Sequence, residues 1–311
     1  MSRHVRSVAV TGALGNLGAK LLQHLAANSQ VKHLIALDRK PPEKMHRSSM
    51  LDCVGERDVE IEWVECDLSD WEDLRWRDAF DRSEVVVHFA AQNPYPDASW
   101  SDADTSLIMN INTAHAAAES PLTNRYVFAT SNHVMGQYKD EKISPGSLSP
   151  DLDPGVGTVW NSGSKDIDST RYASAKWAGE RLCDFLGKRS ANSTSFVSIR
   201  IGWCQPGANE TSTLSATGTP TLKQNHAENN NTDRWFKQMW LSNRDFCHLF
   251  QQAIEAESDT WPNNAIIING MSDNADMPWD LKPTRKYLNY NPMDDVFSEE
   301  KTAKPRLFPK K

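Results

Sequence analysis

The sequence predicts a doubly wound α/β fold, an open parallel sheet with helices on both faces, and three observations carry that expectation. Short β-branched or apolar runs alternate with helix-compatible stretches along the first two-thirds of the chain. The run Val85-Val-Val-His-Phe-Ala90 lacks period-two polarity, as expected of a strand buried on both sides. A glycine-rich turn follows the first strand directly and opens a helix.

Strand-like runs lie at Val8–Thr11, His33–Leu37, Val59–Val64, Val85–Ala90, Tyr126–Thr130 and Phe196–Ile201. The periodic pattern then gives way at 205–233 to Gly, Asn, Thr and Ser with Pro206 and Pro220, which reads as a long loop or lid. Order resumes near Trp235. Asp245 to Glu257 reads as a helix and 266–269 as a strand returning to the sheet. The expected division is a dinucleotide-binding domain with the catalytic helix over 1–202, a small substrate lobe over 203–300, and a mobile basic tail over 301–311. No internal repeat is visible.

Composition narrows the function classes. With 311 residues, 39% hydrophobic and 24% charged, the chain is neither a disordered tail nor a membrane protein. Its 34 Lys+Arg against 41 Asp+Glu leave a net charge of −7 and no basic block able to neutralise a run of phosphates, so nucleic acid is not an expected partner. Five scattered cysteines without Cys-x-x-Cys spacing argue against a disulfide framework or a structural zinc site, and point to a reducing compartment. With no apolar signal segment at the N-terminus, the expected location is cytoplasmic.

The turn Thr11-Gly12-Ala-Leu14-Gly15-Asn16-Leu17-Gly18 sits where strand passes to helix. Glycines let the backbone approach a pyrophosphate, which free N–H groups and the positive end of the helix stabilise. The second strand ends in Asp38, twenty residues beyond Gly18, where a carboxylate accepts hydrogen bonds from an adenosine ribose. Asp38 favours NAD, while Arg39 beside it leaves NADP open. Asp67 and Leu68, after the third strand, are placed to flank adenine or simply to begin a turn. Tyr172 and Lys176 stand four apart in a helix-compatible segment, on one face. The strand from Arg125 ends in Ser131-Asn132-His133 at the carboxyl edge of the sheet, where open α/β folds bind ligands.

Through Thr11-Gly-x-x-Gly-x-x-Gly18, Asp38, Asp67-Leu68, His88-Phe89-Ala90-Ala91, Ser131 and Tyr172-x-x-x-Lys176, the sequence resembles the extended short-chain dehydrogenase/reductases, which have a Rossmann-type sheet. Ala129-Thr-Ser-Asn-His-Val-Met-Gly136, Ile199-Arg-Ile-Gly202, Met239-Trp-Leu-Ser-Asn-Arg-Asp-Phe246 and Ile268-Asn-Gly-Met-Ser-Asp-Asn274 make it most similar to uronate dehydrogenases and archaeal NAD-dependent glucose-6-phosphate dehydrogenases. The resemblance implies an NAD-dependent enzyme that oxidises C1 of a hexose, hexuronate or hexose phosphate to a lactone, and a homodimer. Tyr172 is then the base, Lys176 its electrostatic support, and Ser131 the group holding the reacting oxygen. The cofactor set is Gly12, Leu14, Gly15, Asn16, Leu17, Gly18, Asp38, Arg39, Asp67, Leu68, Phe89, Ala90, Ala91, Asn110, Tyr172, Lys176 and Ile201. The sugar set is Asn93, Ser131, Asn132, His133, Trp203 and Arg234, with Trp235 and Trp240 as stacking candidates. His88 reads as structural. Trp203 departs from the serine that uronate dehydrogenases carry after Ile-Gly, removing a hydroxyl and adding bulk. Two other classes share these features: a nucleotide-sugar epimerase or dehydratase with tightly bound NAD, and a non-catalytic NAD-binding regulator, which has no need of Tyr172, Lys176 and Ser131 together.

Overall fold

The computed structural model of the chain describes residues 3–55, 57–162, 165–189, 194–214 and 230–298. Seven strands form one wholly parallel sheet in the order β3 (Glu60–Glu65), β2 (His33–Asp38), β1 (Ser7–Thr11), β4 (Val85–His88), β5 (Arg125–Ser131), β8 (Ser195–Ile201), β9 (Ala265–Gly270). A short antiparallel ribbon, β6 (Val159–Asn161) with β7 (Asp166–Asp168), stands apart from it.

Both faces of the sheet are covered, which explains the uninterrupted apolar runs. Along β1, Val8 and Val10 join one core cluster and Ala9 the other; along β4, Val85 and Val87 face one way and Val86 the other. The first cluster takes Leu21, Leu22 and Leu25 from α1 (Asn16–Asn28) and Phe246, Leu249 and Phe250 from α7 (Asn243–Glu255). The second takes Trp76 and Phe80 from α3 (Leu74–Asp81), Ala114 and Ala117 from α4 (Trp100–Glu119), and Cys183 and Leu186 from α5 (Thr170–Arg189). Polar side-chain caps set the starts of α3, α4 and α7. Ser99 and Asp102 form a reciprocal capping box on α4, and Ser242 accepts from the Asp245 N–H on α7.

The strand order reverses between β1 and β4, so a crevice opens above their carboxyl ends. Thr11 is level with both Leu37 and His88, which brings the ends of β1, β2 and β4 to one edge. The β4 strand is shorter than its apolar run, and Phe89 to Ala91 turn away over the crevice.

After residue 202 the chain stays part of the same body. Phe89 packs on Phe246 and Phe250 at centroid distances of 5.9 and 4.8 Å, and β9 pairs with β8 along its length. The long-loop expectation is corrected at both ends. Thr211–Thr213 form a helical turn anchored by Asn209, and Asn230–Gln238 form a helix, α6, so residues 230–233 are not loop. The middle of that stretch and the 301–311 tail lie outside the described residues. Among the described residues no helix is long and apolar enough to cross a membrane.

Candidate active site

The glycine turn is built by close backbone approach. Gly12 has φ +66°, and a Cβ there would stand 2.9 Å from the Ala90 nitrogen; one on Gly18 would fall 2.2 Å from the Gly12 carbonyl oxygen. Gly15 precedes α1 with no side-chain cap, so the first N–H groups of the helix are offered to a ligand. Asp38 closes the turn: its Oδ2 accepts from the Leu14 N–H at 2.9 Å and its Oδ1 from the Arg39 N–H at 2.8 Å. Each oxygen keeps acceptor capacity for ribose hydroxyls. An uncapped helix start, a turn a Cβ would fill and a carboxylate at the strand end fit a dinucleotide.

The other members of the cofactor set divide. The Ala90 N–H donates to Thr11 Oγ1 at 3.3 Å, which holds the turn of Phe89, Ala90 and Ala91 over β1. Arg39 reaches Gln92 Oε1 at 2.9 Å from across the crevice mouth. Asn16 donates to the Cys204 carbonyl at 2.9 Å, Lys20 donates to the Gln205 carbonyl, and Leu17 packs on the core. Asp67 spends Oδ1 on the Ser69 N–H and hydroxyl, and Leu68 is buried in the second core cluster. Asn110 is taken up behind the site, accepting from the Tyr126 hydroxyl at 2.9 Å and facing Gly179.

At the carboxyl end of β5 the structure brings the reactive groups together. Ser131 is buried and lies close enough to the half-buried Tyr172 phenol to favour its ionisation. One turn along α5, Lys176 lies under the same ring at 5.8 Å from its centroid and donates to the Ala129 carbonyl at 2.8 Å. Burial pulls the Lys176 ammonium down to about 8, with Glu180 opposing. Burial likewise raises the Tyr172 phenol above its ordinary value, and the nearby Ser131 hydroxyl only partly offsets this. The chain by itself therefore keeps Tyr172 protonated, and phenolate requires further positive charge. Beneath this group, Arg200 of β8 and Glu180 of α5 form a fully buried ion pair at 2.8 Å, and Thr130 adds a 2.8 Å hydrogen bond to the same carboxylate. The pair ties α5 to β8, and the Thr130 bond ties it to β5, the strand carrying Ser131.

His133 and Asn132 complete the edge. The His133 Nδ1 sits 2.7 Å from Thr158 Oγ1 and 3.1 Å from Ser169 Oγ, and its ring meets Tyr172 edge-on at 6.1 Å. Burial pushes the imidazole down to about 4, so it is neutral near pH 7. Asn132 donates to the Ile201 carbonyl at 2.9 Å, leaving its own buried Oδ1 without a partner. His88, buried beside Thr11 at 2.8 Å and stacked between Tyr126 and Phe128, is pushed down to about 3.

Three aromatic rings wall this edge, and two of them have no signal in the sequence. Trp160 of the ribbon stacks on His133 at 5.8 Å, Phe236 of α6 meets Trp160 at 5.0 Å, and Trp203 meets Phe236 at 5.6 Å. The expected stacking residues go elsewhere. Trp235 is buried against Trp279 at 4.6 Å, and Trp240 is buried with its indole N–H on Asn209. Arg234 is not brought to Tyr172: it pairs with Asp276 at 3.3 Å and is 56% exposed. Asn93 accepts from the Tyr95 N–H at 3.0 Å, in the turn leading to α4.

Residues 8–248 match the NAD dependent epimerase/dehydratase family. Among curated proteins the chain is 28% identical to an L-arabinose 1-dehydrogenase (NAD(P)(+)) of Haloferax volcanii, covering 93% of this chain and 96% of that one. It is also 28% identical to an NAD-dependent glucose-6-phosphate dehydrogenase of the same organism, over 93% of both chains. A uronate dehydrogenase of Pseudomonas syringae pv. tomato is 25% identical, over 95% of this chain and 86% of the relative. Among solved structures, a mutated uronate dehydrogenase superposes with a TM-score of 0.63 at 21% identity, over 94% of this chain and 83% of that one, a likeness of fold.

Proposed function

The chain belongs to the NAD dependent epimerase/dehydratase family, and from that premise we propose that it is an NAD-dependent dehydrogenase oxidising C1 of a hexose, hexuronate or hexose phosphate to the lactone, with Tyr172 as base. The observation that carries this reading is the convergence of Ser131, Tyr172 and Lys176 at the carboxyl end of β5, beside an uncapped glycine turn. A relative named L-arabinose 1-dehydrogenase (NAD(P)(+)), matched over 96% of its length, supports the choice of C1.

The anomeric hydroxyl gives its proton to Tyr172 Oη as the C1–H bond releases its electron pair as hydride and C1=O forms. Bound NAD supplies the hydride acceptor and the second positive charge that the phenol needs. Lys176 holds the phenolate electrostatically, at about 1.4 kcal/mol for each pKa unit by which the phenol is lowered. Ser131 holds the reacting oxygen. Asn132 Oδ1, buried and unpartnered, accepts from a neighbouring sugar hydroxyl, and neutral His133 is fixed in orientation by Thr158 and Ser169.

The test is an NADH-release screen over glucuronate, galacturonate, neutral hexoses and glucose 6-phosphate. Release with at least one is expected. Silence from all of them, with NAD retained through gel filtration, would transfer the site to the epimerases, which return the hydride they take.

A further inference from the structure

We infer that the sugar accepted at this site is an uncharged aldose, held against the aromatic wall of Trp160, Trp203 and Phe236, and that uronates and sugar phosphates are disfavoured. The inference rests on the dehydrogenase reading above and narrows its substrate class.

The wall is contiguous with the reacting groups. Tyr172 meets His133, His133 meets Trp160 and Phe236, and Phe236 meets Trp203, each at a centroid distance between 5.0 and 6.5 Å. Trp203 is fixed in the backbone by mutual hydrogen bonds, its N–H donating to the Met239 carbonyl at 2.8 Å and its carbonyl accepting from the Leu241 N–H at 3.0 Å. Trp160 and Phe236 are nearly enclosed by this packing and Trp203 is half-buried, so the edge left to a sugar is apolar and suits the C–H face of a neutral pyranose or furanose. An anionic group brought against it loses water and requires a cation in return.

Three described cations on the elements that build the site are committed elsewhere. Arg200 is enclosed with Glu180 beneath the sheet edge. Lys176 is tied to Ala129 under the phenol. Arg234 stands two residues before Phe236 on α6, and residues two apart on a helix point about 200° from each other, so turning Phe236 to His133 turns Arg234 outward to Asp276. Neutral His133 offers no charge.

The experiment compares C6-matched sugars: glucose, glucuronate and glucose 6-phosphate, then galactose with galacturonate, with L-arabinose as a neutral aldose lacking C6. kcat/KM for the neutral member should exceed that of each charged partner by at least about tenfold. Phe236→Ala should raise KM for the neutral sugar about tenfold through lost apolar contact, while Phe236→Leu restores most of it. Arg234→Ala should leave the neutral-to-charged ratio within about twofold of wild type. A preference for a uronate or phosphate, or an Arg234→Ala variant that selectively loses a charged substrate, overturns the inference and leaves the dehydrogenase reading intact. Failure of every aldose, neutral and charged alike, sinks that reading instead.

Discussion

The cofactor crevice and the sugar wall share one sheet edge but are built on opposite principles. The crevice is made of backbone: a glycine turn, a helix start and one carboxylate, all within 38 residues of sequence. The wall is made of side chains from separate elements, the ribbon, the segment after β8 and α6, meeting ring to ring. Backbone geometry tolerates few substitutions and recurs in many proteins. Side-chain walls can be exchanged without disturbing the fold, which is where specificity varies.

The largest expected effect comes from the group that joins the two regions. Tyr172→Phe should cut kcat by about a thousandfold, within the range for a lost general base, while NAD affinity from titration calorimetry changes little. A variant turning over at the wild-type rate would remove Tyr172 as base.

Acid should strain both regions alike, because each buries one neutral histidine. In the unfolded chain an imidazole protonates near 6.5; in the fold His133 waits until about 4 and His88 until about 3. Between those values the unfolded chain binds more protons, so stability falls as pH drops below 6.5. Each histidine contributes about 1.4 kcal/mol per pH unit, levelling off below its folded value. Urea melts from pH 7 to 4.5 should show the slope, and His133→Asn should reduce it by about one proton. A flat profile would contradict the burial of both rings.

A milder way to break the crevice is Gly18→Ala. A methyl 2.2 Å from the Gly12 carbonyl forces the turn open, at about 1–3 kcal/mol of overpacking, and should raise the KM for NAD while leaving sugar discrimination unchanged. Thermal melting with and without NAD separates the two consequences. The smallest effect is expected at Arg39, whose side chain rests on Gln92. Arg39→Ala should shift NAD use about twofold or less and reduce any NADP use by more, since it removes positive charge beside Asp38. The ratio of kcat/KM for the two cofactors is the measurement.

The same contrast explains what could be read in advance. Strands, their parallel pairing, the glycine turn, Asp38 and the Tyr172–Lys176 pair are local patterns with a fixed period or spacing, and the structure assembles them where the pattern implied. The wall follows no such pattern. Trp160 lies in a stretch without periodicity, and Phe236 joins the wall from α6, where its neighbour Trp235 packs the other way on Trp279. The resemblance places Arg234 at the sugar across the long insertion before it, and the structure pairs it with Asp276 instead. Glu180, four beyond Lys176, looks like a residue of a surface helix, and only the packing of α5 over Arg200 buries it. Asp67 was legible as a polar residue beginning a turn and serves it, whereas Asn93, expected at the sugar, accepts from the Tyr95 N–H in a turn of its own.

Asn16 and Lys20 reach from α1 to the carbonyls of Cys204 and Gln205, directly after Trp203. One helix thus ends in the phosphate cradle and is laced along its side to the strand of chain that fixes an indole of the sugar wall. Linkage between two sites runs equally in both directions, so any tightening of sugar by dinucleotide through this lacing is matched by the same factor in reverse. Measuring the dissociation constant of each ligand with and without the other tells whether this lacing carries any coupling at all.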